Sequence, residues 1–169
     1  YYRHVVEQVP ARELIVLTQA TPEAPNSNDQ ILRVNFFSKN FRPRWLPWLW
    51  RFPQLIRHHG IQQLWIGHLS PLTPLVWCVA RWRRLPVLLS IHGADLLIPE
   101  RHQLSRWITQ WILRHTNLII TNGEFLAHEL RRRGVSEESI VIIPPGVSLP
   151  VLPTPTERDS VRHQFGIDQ

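Results

Sequence analysis

An alternation restricts the fold of this chain more than anything else in it. Short apolar runs recur at ELIVLTQ (13–19), ILRVNFF (31–37), QLWIG (63–67), VLLSI (87–91), NLIIT (117–121) and IVIIP (140–144). Their length and β-branched content suit buried strands. Segments of helical period separate the last four. In LSRWITQWILRH, the residues Leu104, Trp107, Ile108, Trp111 and Ile112 fall on one stripe, which predicts a helix with a buried face. EFLAHELRRRG predicts another, with Glu129 placed four residues before Arg133 for an ion pair and Gly134 as its stop. Ser70-Pro71 predicts the start of a third over PLTPLVWCVARW, because serine caps a helix and proline tolerates its first position. Strands joined by helices of this length pair in parallel through right-handed crossovers. The expected fold class is therefore α/β, a doubly wound parallel sheet covered on both faces.

Such sheets bind ligands outside the carboxyl ends of their strands. The residues that follow the later strands are His68, then His92-Gly93-Ala94-Asp95, then Asn122-Gly123, then Pro145-Gly146. Glycine there lets a ligand approach the backbone, and a following helix N-terminus offers N–H groups to an anion. Taken singly, each is better explained by the turn chemistry of α/β loops. On that reading His92 is a structural histidine and Asp95 caps a short turn.

Composition narrows the chemistry. The length of 169 residues suits one domain, and Cys78 is the lone cysteine, so no intrachain disulfide forms and a cytoplasmic location fits. The formal charge of +6 favours anionic partners. The sequence contains no methionine and opens without a signal-peptide pattern, which is expected of an internal piece or a trimmed product. Gly60 to Ala80 is free of Asp, Glu, Lys and Arg, yet Gln62, Gln63, His68, Pro71 and Pro74 argue against a membrane span. No metal is expected, because the histidines show no ligand spacing on a predicted helix. The Gly-x-Ser-x-Gly elbow of hydrolases and the Gly-Lys phosphate loop are both missing. Basic residues are scattered rather than gathered in a recognised module, so nucleic acid is not an expected partner.

The stretch KNFRPRWLPWLWRFPQLIRHHG (39–60) supports two readings. Its tryptophans could pack a crossover helix into the core with the arginines extending into water. Alternatively, Arg44, Trp45, Trp48 and Arg51 could form a membrane or acceptor surface. Pro43, Pro47 and Pro53 are expected to interrupt any long helix here.

In order and spacing, VLLSIHGADLL, LRHTNLIITNGEFLAHELRRRGV and ESIVIIPPGV resemble the N-terminal half of a family 4 glycosyltransferase of the GT-B fold. The resemblance runs over approximately Leu14 to Ile167 and is similar to phosphatidylinositol mannosyltransferase-like enzymes. It implies that His92 is the catalytic-site histidine that hydrogen-bonds the donor sugar and that Gly93 gives that sugar room. Asp95 matches the motif's acidic position, and Gly146 the turn leading toward a second domain. His68, Asn122 and Gly123 complete the expected substrate-binding set. Two positions depart from the pattern: Gly123 stands where a serine commonly starts the helix, and Ser148 where an aspartate commonly follows Gly-Val.

The resemblance also implies a domain organisation. Residues 1–150 correspond to the N-terminal domain without its first strand and Gly-rich loop, and YYRHVVEQVPA to the tail of the helix after that loop. Residues 151–169 correspond to a linker and the start of a helix toward a C-terminal donor-binding domain. The implied activity is retaining transfer of a sugar from a nucleotide-sugar donor to a lipid or polysaccharide acceptor, with no cofactor and no required metal. This half holds mainly the acceptor side and is expected to be inactive alone. Implied too are cytoplasmic localisation and peripheral attachment to the inner, anionic face of a membrane. A different reading makes the chain a non-catalytic binding or scaffold subunit that pairs with a separate donor-binding chain. The coding sequence beyond Gln169 separates the two.

Overall fold

A computed structural model describes residues 9–10, 13–19, 31–37, 42–97, 103–146 and 154–167. Its elements run β1 (Val16–Gln19), β2 (Ile31–Val34), α1 (Trp48–His58), β3 (Leu64–Ile66), α2 (Thr73–Trp82) and β4 (Val87–Ile91). A short α3 (Ala94–Leu97), α4 (Gln103–His115), β5 (Leu118–Thr121), α5 (Glu124–Arg132), β6 (Ile140–Ile142) and α6 (Pro155–Gln164) follow. Every strand pairing is parallel, as the alternation predicts. The strands divide into a two-stranded sheet, β1-β2, and a four-stranded sheet in the order β3-β4-β5-β6.

Register explains which side chains make the core. Leu64 pairs with Val87, Leu89 with Ile119, and Ile119 with Ile140, so these residues share one face. On it, Val87, Leu89, Ile91 and Ile119 are fully buried, and Leu113 of α4 with Leu126 and Leu130 of α5 cover them. Burying side chains of this size contributes about 1.5–3 kcal/mol each. Trp77 and Ala80 of α2 meet Ile112 of α4 over Val87. Helix α1 buries Trp48, Phe52 and Ile56, four residues apart on one stripe. Leu17, Val34 and Leu64 pack against that stripe, so α1 fastens the two sheets together.

Local expectations meet this packing unevenly. The Glu129–Arg133 ion pair forms at 3.1 Å, and Gly134 ends α5 with a φ of +80°. A Cβ there would lie 2.9 Å from the Arg114 guanidinium, whose Nε donates to the Arg133 carbonyl at 2.8 Å. Helix α2 starts at Thr73 rather than at Ser70-Pro71, because the Ser70 N–H donates to the Thr73 hydroxyl at 2.8 Å and holds the preceding turn. Pro53 does not interrupt α1 but lies inside it. The carbonyl freed by its missing N–H belongs to Leu49, which is exposed, so water can satisfy it.

The apolar stripe of α4 is a larger correction. Leu104, Trp107 and Trp111 are 70%, 64% and 40% exposed, while Ile108 is half-buried against the core and Ile112 and Leu113 are buried. The helix turns its last two apolar residues toward the sheet, and the ring of Trp111 meets Trp77 edge-on at 4.6 Å instead of entering the core. Among the described residues, no helix is long and apolar enough to cross a membrane.

Candidate functional site

The four-stranded sheet ends in a row of loops, and a shallow pocket of about 110 Å³ lies among those after β4, β5 and β6. Ser90, Ile91 and His92 come from β4 and its loop, Ile120, Thr121 and Asn122 from β5 and its loop, and Ile143 and Pro145 from the segment after β6. The Ile143 N–H donates to the Thr121 carbonyl at 2.8 Å and keeps the third wall in register with the second. The apolar floor and polar rim are thus built by consecutive strand ends.

His92 stands exposed at the rim. Its Nε2 lies 3.2 Å from the Gly67 carbonyl oxygen at the end of β3. A carbonyl only accepts, so this contact fixes the proton on Nε2 and sets the ring's orientation. Gly93 has a φ of +104°, a region that L side chains rarely adopt. A Cβ built there would meet nothing closer than Leu126 at 3.8 Å. The backbone turn, not crowding by protein atoms, therefore requires this glycine.

Asp95 is buried in the first turn of α3, and its Oδ2 accepts from the Leu69 N–H at 3.3 Å. It ties the loop after β3 to the loop after β4, a longer reach than the cap of a short turn. His68 is exposed next to that tie, and its carbonyl accepts from the Thr73 hydroxyl at 3.5 Å. His68 does not line the pocket.

Gly123 is the N-cap of α5 with extended backbone and no side-chain cap, as its departure from serine implies. Asn122, one residue earlier, lines the pocket. Gly146 is exposed beside Pro145 with open space around it. Ser148 lies outside the described residues, as do residues 1–8 of the N-terminal stretch. The structure thus brings His92 and Asn122 together at one rim, links His68 and Asp95 to it through the β3 loop, and leaves Gly146 at its far edge.

The other expected cluster is dispersed. Trp48 is 4% exposed, its indole N–H donates to the Asn35 carbonyl at 3.4 Å, and its ring packs on Phe36 at 5.0 Å. Trp48 is core and not a membrane or acceptor surface, because it is on the buried stripe of α1. Trp45 is half-buried, whereas Arg44 and Arg51 are exposed.

Sequence reasoning missed two buried hydroxyls beneath the pocket. Ser90 accepts from the Trp65 indole N–H at 2.8 Å, and the Thr121 hydroxyl donates to the Gly123 carbonyl at 3.4 Å. A polar residue as the next-to-last or last member of an otherwise apolar strand was the available signal.

Comparison with known proteins follows the same lines. No curated protein matches the chain. Crystal structures of Anabaena Alr3699/HepE are similar in fold. The complex with UDP superposes with a TM-score of 0.59 at 16% identity, covering 92% of this chain and 50% of that one. The complex with UDP-glucose gives 0.55 at 15% identity, with 92% and 50% covered. The chain thus spans about half the length of the structures it matches. The doubly wound, Rossmann-like architecture is that of the N-terminal half of a GT-B fold, as the sequence resemblance implies. A model of Glycosyltransferase Family 4 matches residues 1–150, most of the chain, and the chain belongs to this family.

Proposed function

We propose that the chain is the acceptor-side domain of a retaining glycosyltransferase that moves a sugar from a nucleotide-sugar donor to a lipid or polysaccharide acceptor. The observation that carries the reading is the His92 ring, held by the Gly67 carbonyl over a pocket made by three consecutive strand ends. His92 is exposed at the rim, where its imidazole can meet a sugar hydroxyl. Asn122 adds a side-chain amide on the opposite wall, and Asp95 acts as a positioning residue by fixing the β3 loop that carries Gly67.

The size of the pocket supports a division of labour between two halves. A volume of about 110 Å³ is well below the roughly 300–1,000 Å³ of sites that enclose a ligand of nucleotide-sugar size. On this reading the donor is held mostly by a second half, and this half contributes His92 and the acceptor wall. A uridine diphosphate sugar is the first donor to test, since the similar HepE structures contain UDP and UDP-glucose.

Replacing His92 by Ala in the protein that contains both halves should lower kcat by about a hundredfold or more, with the melting temperature unchanged. Preserved turnover would make His92 structural. The 169-residue chain alone should bind UDP-glucose too weakly for calorimetry to detect, and micromolar binding would overturn the division of labour.

A further inference from the structure

We infer that the carboxyl end of the two-stranded sheet is an outer subsite for a neutral glycan, where the Asn35 side-chain amide donates to sugar hydroxyls and Phe37 supplies an aromatic ring. β1 ends at Gln19, which pairs with Val34 at the end of β2, so Gln19 and Asn35 emerge together on the edge where α/β sheets bind ligands. Both residues are exposed.

A short relay of hydrogen bonds fixes their orientation. The Phe36 N–H donates to Gln19 Oε1 at 3.2 Å, and since a backbone N–H only donates, the oxygen of that amide must face it. Gln19 Nε2 is left to donate to Asn35 Oδ1 at 3.2 Å. The Asn35 backbone is held too, because its carbonyl accepts from the indole N–H of the buried Trp48 at 3.4 Å. With Oδ1 engaged, the Asn35 amide keeps its N–H donors, and no described residue takes them. An amide already fixed in this way loses little freedom when a ligand binds it.

The surroundings select the ligand class. Phosphates and carboxylates are held by arginine forks or lysine, whereas Gln19, Asn35 and Phe37 are neutral. Phe37 is 43% exposed two residues after Asn35. Amide donors near an aromatic ring match the two chemistries of a sugar, its hydroxyls and its apolar C–H face.

Position ties this end of the molecule to His92. Helix α1 packs on Leu64 of β3 as well as on Leu17 and Val34, so the two-stranded sheet adjoins the β3 side of the four-stranded one. Phe36 and Trp48 also share a crevice with Leu72, Leu75 and Val76, just beyond the β3 loop. Along the carboxyl edge the order is therefore His92 after β4, His68 after β3, and then Asn35. His68, exposed yet outside the pocket, falls between them. Neighbouring strands stand about 4.8 Å apart, so one sugar ring does not reach from His92 to Asn35. A glycan chain with its reacting end at His92 lays an earlier unit against Asn35. That direction rests on the acceptor reading, whereas binding at Asn35 does not.

A glycan array carrying neutral glycans graded from monosaccharides to octasaccharides tests the subsite with the chain itself. The chain should bind oligosaccharides better than monosaccharides. Asn35→Asp keeps an oxygen for Gln19 but removes the donors, and it should weaken binding about tenfold at unchanged melting temperature. Phe37→Ala should weaken it as well. Binding to none of these glycans, binding by Asn35→Asp equal to wild type, or loss of binding only together with a lowered melting temperature would overturn the inference. In the protein that contains both halves, Asn35→Asp should raise KM more for long acceptors than for short ones, while His92→Ala acts on kcat. Glycan binding that depends on Asn35 without any sugar transfer would keep the subsite and remove the transferase reading. Transfer to glycans that ignores Asn35 would do the reverse.

Discussion

Helices α4 and α5 lie on the same face of the same sheet, and both are amphipathic in sequence, yet they use their apolar residues differently. α5 buries the stripe Leu126, Ala127 and Leu130 and, apart from the exposed Phe125, turns paired charges to water: Arg131 contacts Glu124 at 2.9 Å and also pairs with Glu137. α4 buries only Ile112 and Leu113 and leaves Leu104, Trp107 and Trp111 outside. A helical period shows that an apolar face exists. It does not show which side meets the sheet, because α4 carries several large apolar residues on more than one side, where α5 has only Phe125 off its buried stripe.

Substitutions should separate the two uses sharply. Leu113→Ala, at the fully buried contact of α4, should destabilise the chain by about 2–5 kcal/mol in chemical denaturation, through lost burial and a residual cavity. Loss below about 1 kcal/mol would mean that α4 is not anchored where the structure puts it. A smaller effect is expected at the end of α5, where Gly134→Ala puts a side chain at a positive φ while the exposed Arg114 guanidinium beside it can move aside. That should cost on the order of 1–2 kcal/mol, from the backbone conformation.

Trp107→Ala should change stability by less than about 0.5 kcal/mol despite removing the larger side chain, since Trp107 is already mostly in water. A loss comparable to that of Leu113→Ala would erase the contrast between the two sides of α4. The smallest effect concerns charge. Hydrogen bonds from Arg131 hold the Glu137 carboxyl below the usual carboxylate range. A depressed folded-state pKa stabilises above the unfolded value and loses that contribution as pH falls through the folded one. The melting temperature of Glu137→Gln should therefore match wild type near pH 2, and fall slightly below it at pH 7 at low salt. The pair is exposed, so the gap should close in high salt.

Much of the fold was legible in the chain. Six apolar runs all contain strands, the parallel pairing follows from the helices between them, and the Glu129–Arg133 pair and Gly134 stop are local matters of spacing and backbone freedom. The candidate site was legible as a set of strand-end residues, His92 and Asn122 foremost. Its internal wiring was not. That Asp95 holds the Leu69 N–H, that Gly67 orients His92, and that Trp65 bonds Ser90 all join residues about 25 positions apart.

Sequence by itself determined the element types and the class of fold, because hydrophobic period, turn residues and caps act within a few residues of one another. Tertiary structure alone decided which apolar residues are core. Trp48 and Trp50 are two positions apart on one helix, and one is 4% exposed while the other is 62%. Helical period sets the two indoles on opposite sides of α1 but does not say which side is covered. The difference arises from the direction in which α1 meets Leu17, Val34 and Leu64, and that direction is set by strands distant in the chain.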